Sequence, residues 1–172
     1  NEAKELVTWS QKFPQLKIME AFMYRHHPQW GEVKKILDSK KIGKLRTIHS
    51  FFSYHNKDPS NIRNIYRYGG GSLMDIGCYC ISISRFIFSR EPIRVLGKME
   101  FDSKFKTDIV CSAIMDFGTG NSTFTCSTQM TPYQKVCILG TKGRIEIDIP
   151  FNPPWDKPCK LIIQIEDLID EV

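Results

Sequence analysis

Ile93-Arg-Val-Leu-Gly-Lys-Met-Glu-Phe101, Thr107-Asp-Ile-Val-Cys-Ser-Ala-Ile-Met-Asp-Phe117 and Ser122-Thr-Phe-Thr-Cys-Ser-Thr-Gln-Met130 follow one another with only short turns between them. Each is rich in β-branched and apolar side chains at period two, the pattern of strands. Lys135 to Leu139, Arg144 to Ile149 and Lys160 to Ile165 continue it. Gly118 to Asn121 and Gly140 to Gly143 separate neighbours as hairpin connections.

Upstream of these strands the period is helical. Ala3, Leu6, Val7 and Trp9 recur at helical spacing until Pro14, and Trp30, Val33, Ile36 and Leu37 recur from Pro28 to Gly43. A strand is expected over Lys44 to His55, a loop over Asn56 to Arg67, and a helix over Ser72 to Phe88, stopped before Pro92. Helices followed by a run of antiparallel strands predict an α+β fold, with an open, mainly antiparallel sheet covered on one face by helices. Several strands are apolar in both registers, such as Cys111, Ala113 and Met115 against Val110 and Ile114. The uncovered face is therefore expected to form a homo-oligomer.

Lys17 to Met23 does not sit easily in that order. Its nearly continuous apolar run, Ile18, Met19, Ala21, Phe22 and Met23, predicts a strand buried on both faces of a parallel sheet, whose neighbours require crossovers that the chain does not contain.

Composition narrows the function classes. The 172 residues are 41% hydrophobic, enough for a real core. The net charge of +5 is dispersed, with only Lys34-Lys35, Lys40-Lys41 and Arg63 with Arg67 grouped, and no recognition motif accompanies it. Nucleic acid is not an expected partner. Ile76 to Phe88 is too short and too interrupted by Ser82, Ser84 and Arg85 to span a membrane. The six cysteines lie mostly in apolar runs and read as buried thiols of a reducing cytoplasm. Cys78-x-Cys80 lacks the spacing of a zinc site, so no metal is expected.

The segment that carries chemistry is Tyr68-Gly-Gly-Gly-Ser-Leu-Met-Asp75-Ile-Gly77-Cys-Tyr79. Three glycines before a helix allow a ligand to approach backbone N–H groups. Asp75 and Tyr79, four residues apart, share a helix face. A phenol and a carboxylate converging there can bind a polyol and move a hydroxyl proton. The same residues also fit a plainer description, with Tyr79 a core aromatic, Asp75 a dipole-stabilising acid and the glycines a loop. The glycines are not a dinucleotide fingerprint, since they neither follow a strand nor fit G-x-G-x-x-G.

Glu20-Ala-Phe-Met-Tyr-Arg25-His-His-Pro28, Ile42-Gly-Lys-Leu45, Gly69 to Tyr79, Glu91-Pro92-Ile-Arg-Val95 and Gly140-Thr-Lys-Gly143 with Ile145 to Phe151 together resemble the glucose-fructose oxidoreductase, inositol dehydrogenase and MocA family. The similarity covers nearly the whole chain and is greatest to the branch of dimeric dihydrodiol dehydrogenase and NADP-dependent xylose dehydrogenase. It implies that residues 1–22 are the last helix and strand of a truncated Rossmann domain. Residues 23–172 would then be the substrate-binding and oligomerisation domain, lacking its C-terminal end. It implies Tyr79 as acid/base, Asp75 as its acidic partner, and Arg25, Arg63, Gly70 and Gly71 at the substrate. It further implies a sugar or polyol as substrate and NAD or NADP as cofactor. The cofactor's binding residues are expected upstream of Asn1, so this segment alone is not expected to bind it. A non-catalytic ligand-binding or oligomerising module is the alternative.

Overall fold

The computed structural model describes residues 2–166 and 168–171. Its centre is one eight-stranded sheet in the order β2-β3-β4-β1-β5-β6-β7-β8. The strands are β1 (Leu45–His55), β2 (Arg94–Phe101), β3 (Asp108–Asp116), β4 (Asn121–Ser127), β5 (Gln129–Gly140), β6 (Gly143–Ile147), β7 (Leu161–Ile165) and β8 (Leu168–Glu171). All neighbours are antiparallel except β1 and β4, which run parallel with Thr47 opposite Asn121. The expected α+β architecture with an open, mainly antiparallel sheet is therefore what the chain forms.

Alternation decides which face is covered. Ile48, Phe52, Phe124, Cys126, Val136, Ile138, Ile145, Ile147 and Ile163 all point to the same side and are buried. That side carries α2 (Pro28–Asp38), α3 (Cys78–Phe88) and the turns before α3. Trp30, Val33 and Ile36 are the inward stripe of α2, and Cys80 and Ile83 that of α3. His27 starts α2 by accepting the Gln29 N–H on its Nδ1, and Pro28 holds the first helical position. Tyr66–Phe88 has the length and apolarity of a membrane span, yet it is broken at Gly69–Gly71 and half of its most apolar window is buried. It is spent on the sheet.

Among the described residues, no helical layer covers the opposite face of the sheet. His49 shares a hydrogen bond with Thr123 at 2.7 Å, Phe51 meets Tyr133 edge-on, and Leu96 and Ile114 are 73% and 49% exposed.

Four expectations need correction. Lys17 to Met23 forms no strand: Ile18 and Met19 are 59% and 72% exposed, and the Phe22 and Met23 N–H groups bond back to Glu20 and Ala21. A strand without a neighbour cannot satisfy its backbone, so the chain turns on itself. Of the two Rossmann-like elements implied for residues 1–22, only the helix is present, as α1 (Glu2–Lys12), and it buries no residue. The expected loop over Asn56 to Arg67 contains 3₁₀ turns at Ile62–Asn64 and Tyr66–Tyr68. The expected helix over Ser72 to Phe88 begins as a π turn, Leu73–Gly77, in which the Cys78 N–H donates to the Leu73 carbonyl five residues back.

Candidate active site

The π turn is held at both ends by contacts that its sequence makes possible. At its start Asp108, from β3, accepts from Ser72 Oγ at 2.6 Å and from the Leu73 N–H at 2.7 Å on the same carboxylate oxygen. A carboxylate from another strand thus does the work of an N-cap. Gly71, at φ +134°, gives it room, since a Cβ there would lie 2.0 Å from Asp108 Oδ1. At the far end Gly77 has no Cβ to strike Cys126 Sγ, which would be 2.8 Å away. Wide π turns recur at functional sites because they re-aim side chains that an α-helix would place elsewhere.

What this turn presents is Asp75. Its Oδ1 accepts from Arg63 Nε at 2.8 Å and its Oδ2 from the Tyr54 hydroxyl at 2.5 Å. Arg63 is placed by a short turn in which Asn61 Oδ1 accepts the Arg63 N–H. One helical turn on, Tyr79 is half-buried. Phe22, Phe52 and Phe151 meet its ring edge-on with centroids 5.0, 5.7 and 5.8 Å away, and Tyr24 is tilted against it at 5.6 Å.

Tyr54, Arg63, Asp75 and Tyr79 line an open cleft of about 830 Å³ together with Gln134, Lys135, Asp148 and Asn152. Gln134 and the Pro150–Asn152 segment are tied down by hydrogen bonds. Gln134 Oε1 accepts the Phe151 and Asn152 N–H groups at 3.0 and 3.2 Å, and Trp30 Nε1 donates to the Pro150 carbonyl. Lys135 is engaged by Glu146 at 2.6 Å and Asp148 at 3.3 Å.

The electrostatics keep both phenols protonated. Burial, then the neighbouring Cys78, Asp75 and Glu20, pushes the Tyr79 phenol above its ordinary range, and the guanidinium of Arg63 only partly offsets this. Tyr54 is pushed up by burial and by its bond to Asp75. Burial likewise pushes the Cys78 thiol up to about 11, so it is no nucleophile at neutral pH. Such a cleft holds a protonated phenol beside a carboxylate that accepts hydroxyl groups. That arrangement suits proton transfer to or from an alcohol oxygen.

Asp75, Tyr79 and Arg63 thus come together. Arg25 does not join them: it is exposed, its guanidinium 4.8 Å over the Phe86 ring on α3, because the chain leaves Tyr24 buried and turns Arg25 outward. Gly70 and Gly71 do not line the cleft either. The Arg63 carbonyl oxygen would lie 2.5 Å from a Cβ at Gly70, and Asp108 fills the space at Gly71, so both glycines serve backbone packing. Tyr54, Gln134, Lys135, Asp148 and Asn152 were not expected at the site. Nothing local to Tyr54 marks it, since its partner Asp75 lies on another element.

An open, mainly antiparallel sheet with one helical layer and a cleft at the start of its buried helix defines an α+β domain. The profile described as the GFO/IDH/MocA C-terminal domain matches residues 30–146, more than half the chain, and the chain belongs to that family. It is 39% identical over 148 residues to an uncharacterized oxidoreductase of Rhizobium meliloti, covering 86% of this chain and 44% of that protein. It is 32% identical over 137 residues to D-xylose 1-dehydrogenase (NADP(+)) 2 of Haloferax volcanii, covering 78% of this chain and 42% of that one. In fold it is similar to KijD10, a 3-ketoreductase from Actinomadura kijaniata solved with NADP and TDP-benzene, with a TM-score of 0.89 at 23% identity, over 99% of this chain and 52% of that one. The chain spans less than half the length of the curated relatives it matches.

Proposed function

We propose that this chain is the substrate-binding part of an NAD(P)-dependent oxidoreductase acting on the CH–OH group of a sugar or polyol. The observation that carries the reading is the meeting of Asp75, Arg63 and Tyr79 in one cleft. Supporting it, relatives of about twice the length include an NADP-dependent sugar dehydrogenase by name.

The residues described here do not fit the nicotinamide cofactor. At Gly69-Gly70-Gly71 the space a pyrophosphate would need against the backbone is taken by the Ile62 and Arg63 carbonyls and by Asp108. The cofactor belongs on a separate Rossmann domain, of which residues 1–22 are read as the last part, and the isolated chain is not expected to bind it. No step at the nicotinamide is derived from these residues. Their part is to bind the alcohol or carbonyl through Asp75 and Arg63 and to hold the proton on the Tyr79 hydroxyl. In the reducing direction the protonated phenol gives its proton to the carbonyl oxygen. In the oxidising direction a cation from outside the described residues must lower the phenol's pKa before it can accept one. The free thiols of all six cysteines support a cytoplasmic location.

Tyr79→Phe in the full-length protein tests the reading. The ring and its packing remain while the proton is lost, so turnover is expected to fall by roughly 10²- to 10⁴-fold with the fold intact. Unchanged turnover would leave Tyr79 as the core aromatic its four ring neighbours also allow.

A further inference from the structure

We propose that Tyr54 is a positioning residue of this cleft, its hydroxyl fixing the carboxylate of Asp75 beside Tyr79 so that the remaining lone pairs are presented to substrate hydroxyls. The inference rests on the oxidoreductase reading above and assigns a role to a residue outside the motif that suggested it.

Asp75 has two donors of unequal character. Arg63 lies on a surface turn with its side chain 46% exposed, and a solvated ion pair of that kind is weak and free to rearrange. Tyr54 comes from β1, the strand that pairs with both β4 and β5, and extends the helix-facing register of Ile48, Ser50 and Phe52 to the cleft. Its ring is therefore held by the sheet. The hydroxyl meets Asp75 Oδ2 at 2.5 Å while Arg63 takes Oδ1 at 2.8 Å, so the carboxylate is gripped on opposite oxygens from two directions.

The physical consequence concerns what replaces that grip. Arginine and a carboxylate prefer a bidentate, coplanar pairing, which the present geometry does not use because Tyr54 occupies the second oxygen. Without the hydroxyl, Oδ2 is free to turn toward a second nitrogen of Arg63. The carboxylate then swings toward the surface turn and away from Tyr79. Burial and the adjacent Asp75 push the Tyr54 phenol above its ordinary range, which keeps it a donor at every working pH. Its own proton is committed to Asp75, which leaves proton transfer to Tyr79.

The test uses the full-length protein with NADP and NAD, assayed on D-xylose, D-glucose and myo-inositol, as Tyr54→Phe, Asp75→Asn and the pair together. On the best of these substrates Tyr54→Phe is expected to raise KM about tenfold, the change due to one hydrogen bond to a charged group, and to change kcat less than about threefold. In the Asp75→Asn background the same substitution is expected to change KM less than about twofold, because Tyr54 acts only through Asp75. An unchanged KM, or an equal rise in both backgrounds, overturns the proposal. A Tyr79→Phe enzyme of normal activity, or no turnover on any of the three substrates, counts instead against the oxidoreductase reading. In that event the ¹³C-tyrosine spectrum decides Tyr54 independently: the Tyr79 resonance is expected to move on Tyr54→Phe only where Asp75 is present, and a resonance that stays in place overturns the inference.

Discussion

A single carboxylate oxygen of Asp108, on β3, accepts both the Ser72 hydroxyl at 2.6 Å and the Leu73 N–H at 2.7 Å, and so anchors the start of the π turn that carries Asp75. Asp108 is buried, so the loss of its carboxylate leaves these donors in the packed interior. Asp108→Ala is expected to destabilise the domain by about 1–2 kcal/mol, the usual cost of a lost cap, and Asp108→Asn by less, since an amide oxygen still accepts. Equilibrium unfolding in urea measures both. Equal losses would mean that charge rather than acceptor geometry holds the turn.

Gly77 makes a steric expectation. A methyl group there would lie 2.8 Å from Cys126 Sγ and 3.0 Å from Leu73 Cδ1, within the packed core. Gly77→Ala is expected to cost about 1–3 kcal/mol despite the better helix propensity of alanine. Cys126→Ala in the same chain is expected to recover part of that loss. A double-mutant cycle by urea unfolding checks it, and strictly additive losses would show that the methyl group is accommodated elsewhere.

Asp102 supplies a pH dependence. The Phe105 N–H, the Gln129 amide and the Lys104 N–H hold its carboxyl below the ordinary range at 2.9, 3.0 and 2.7 Å. A folded-state pKa below the unfolded value of about 3.9 gives stability that is present above that value and lost as pH falls through the folded one. Asp102→Asn is therefore expected to be less stable than the unsubstituted chain at pH 7, with the difference shrinking below about pH 4. Urea midpoints at the two pH values read it directly, and a constant gap would show that ionisation plays no part.

The open sheet face carries the last expectation. Leu96, Ile114 and Tyr133 are 73%, 49% and 52% exposed on it beside Phe51. Soluble monomers seldom leave such a patch bare. Sedimentation at tens of micromolar is expected to show a dimer, with a buried area above about 1,000 Å², and Ile114→Glu is expected to give a monomer. A monomer before substitution would contradict sheet-face association.

The parts of the fold legible in the sequence are those in which burial alternates with the local period. Ile48 and Phe52, Val136 and Ile138, and the turn at Gly140 to Gly143 reported their strands and hairpin directly. Pairing between distant strands left no such mark. Nothing in the alternation of β1 says that it runs parallel to β4, or that β5, which follows β4 at once, lies on the other side of β1. Ile18 to Met23 misled for a related reason, because an apolar run reports a wish for burial and not the partner that supplies it. At the site, the spacing of Asp75 and Tyr79 allowed a shared helix face but fitted a plain structural description equally well, and Arg63 was reached only through the family resemblance. Tyr54 and Gln134 were not, since each acts through a contact between elements far apart in the chain.

The central place of β1 matters during synthesis as well as in the finished domain. Thr47 finds its partners only at Asn121 and Leu139, after most of the remaining chain has been made. At translation rates of about 5–20 residues per second, Ile48, Phe51 and Phe52 wait on the order of seconds outside the ribosome with both strand edges open. The hairpins of β3 with β4 and of β5 with β6 close locally in the meantime, and β1 must then enter between them. Entry so late makes this a slow-folding topology for its size, and the nascent strand before insertion is where a holding chaperone would have the most to protect.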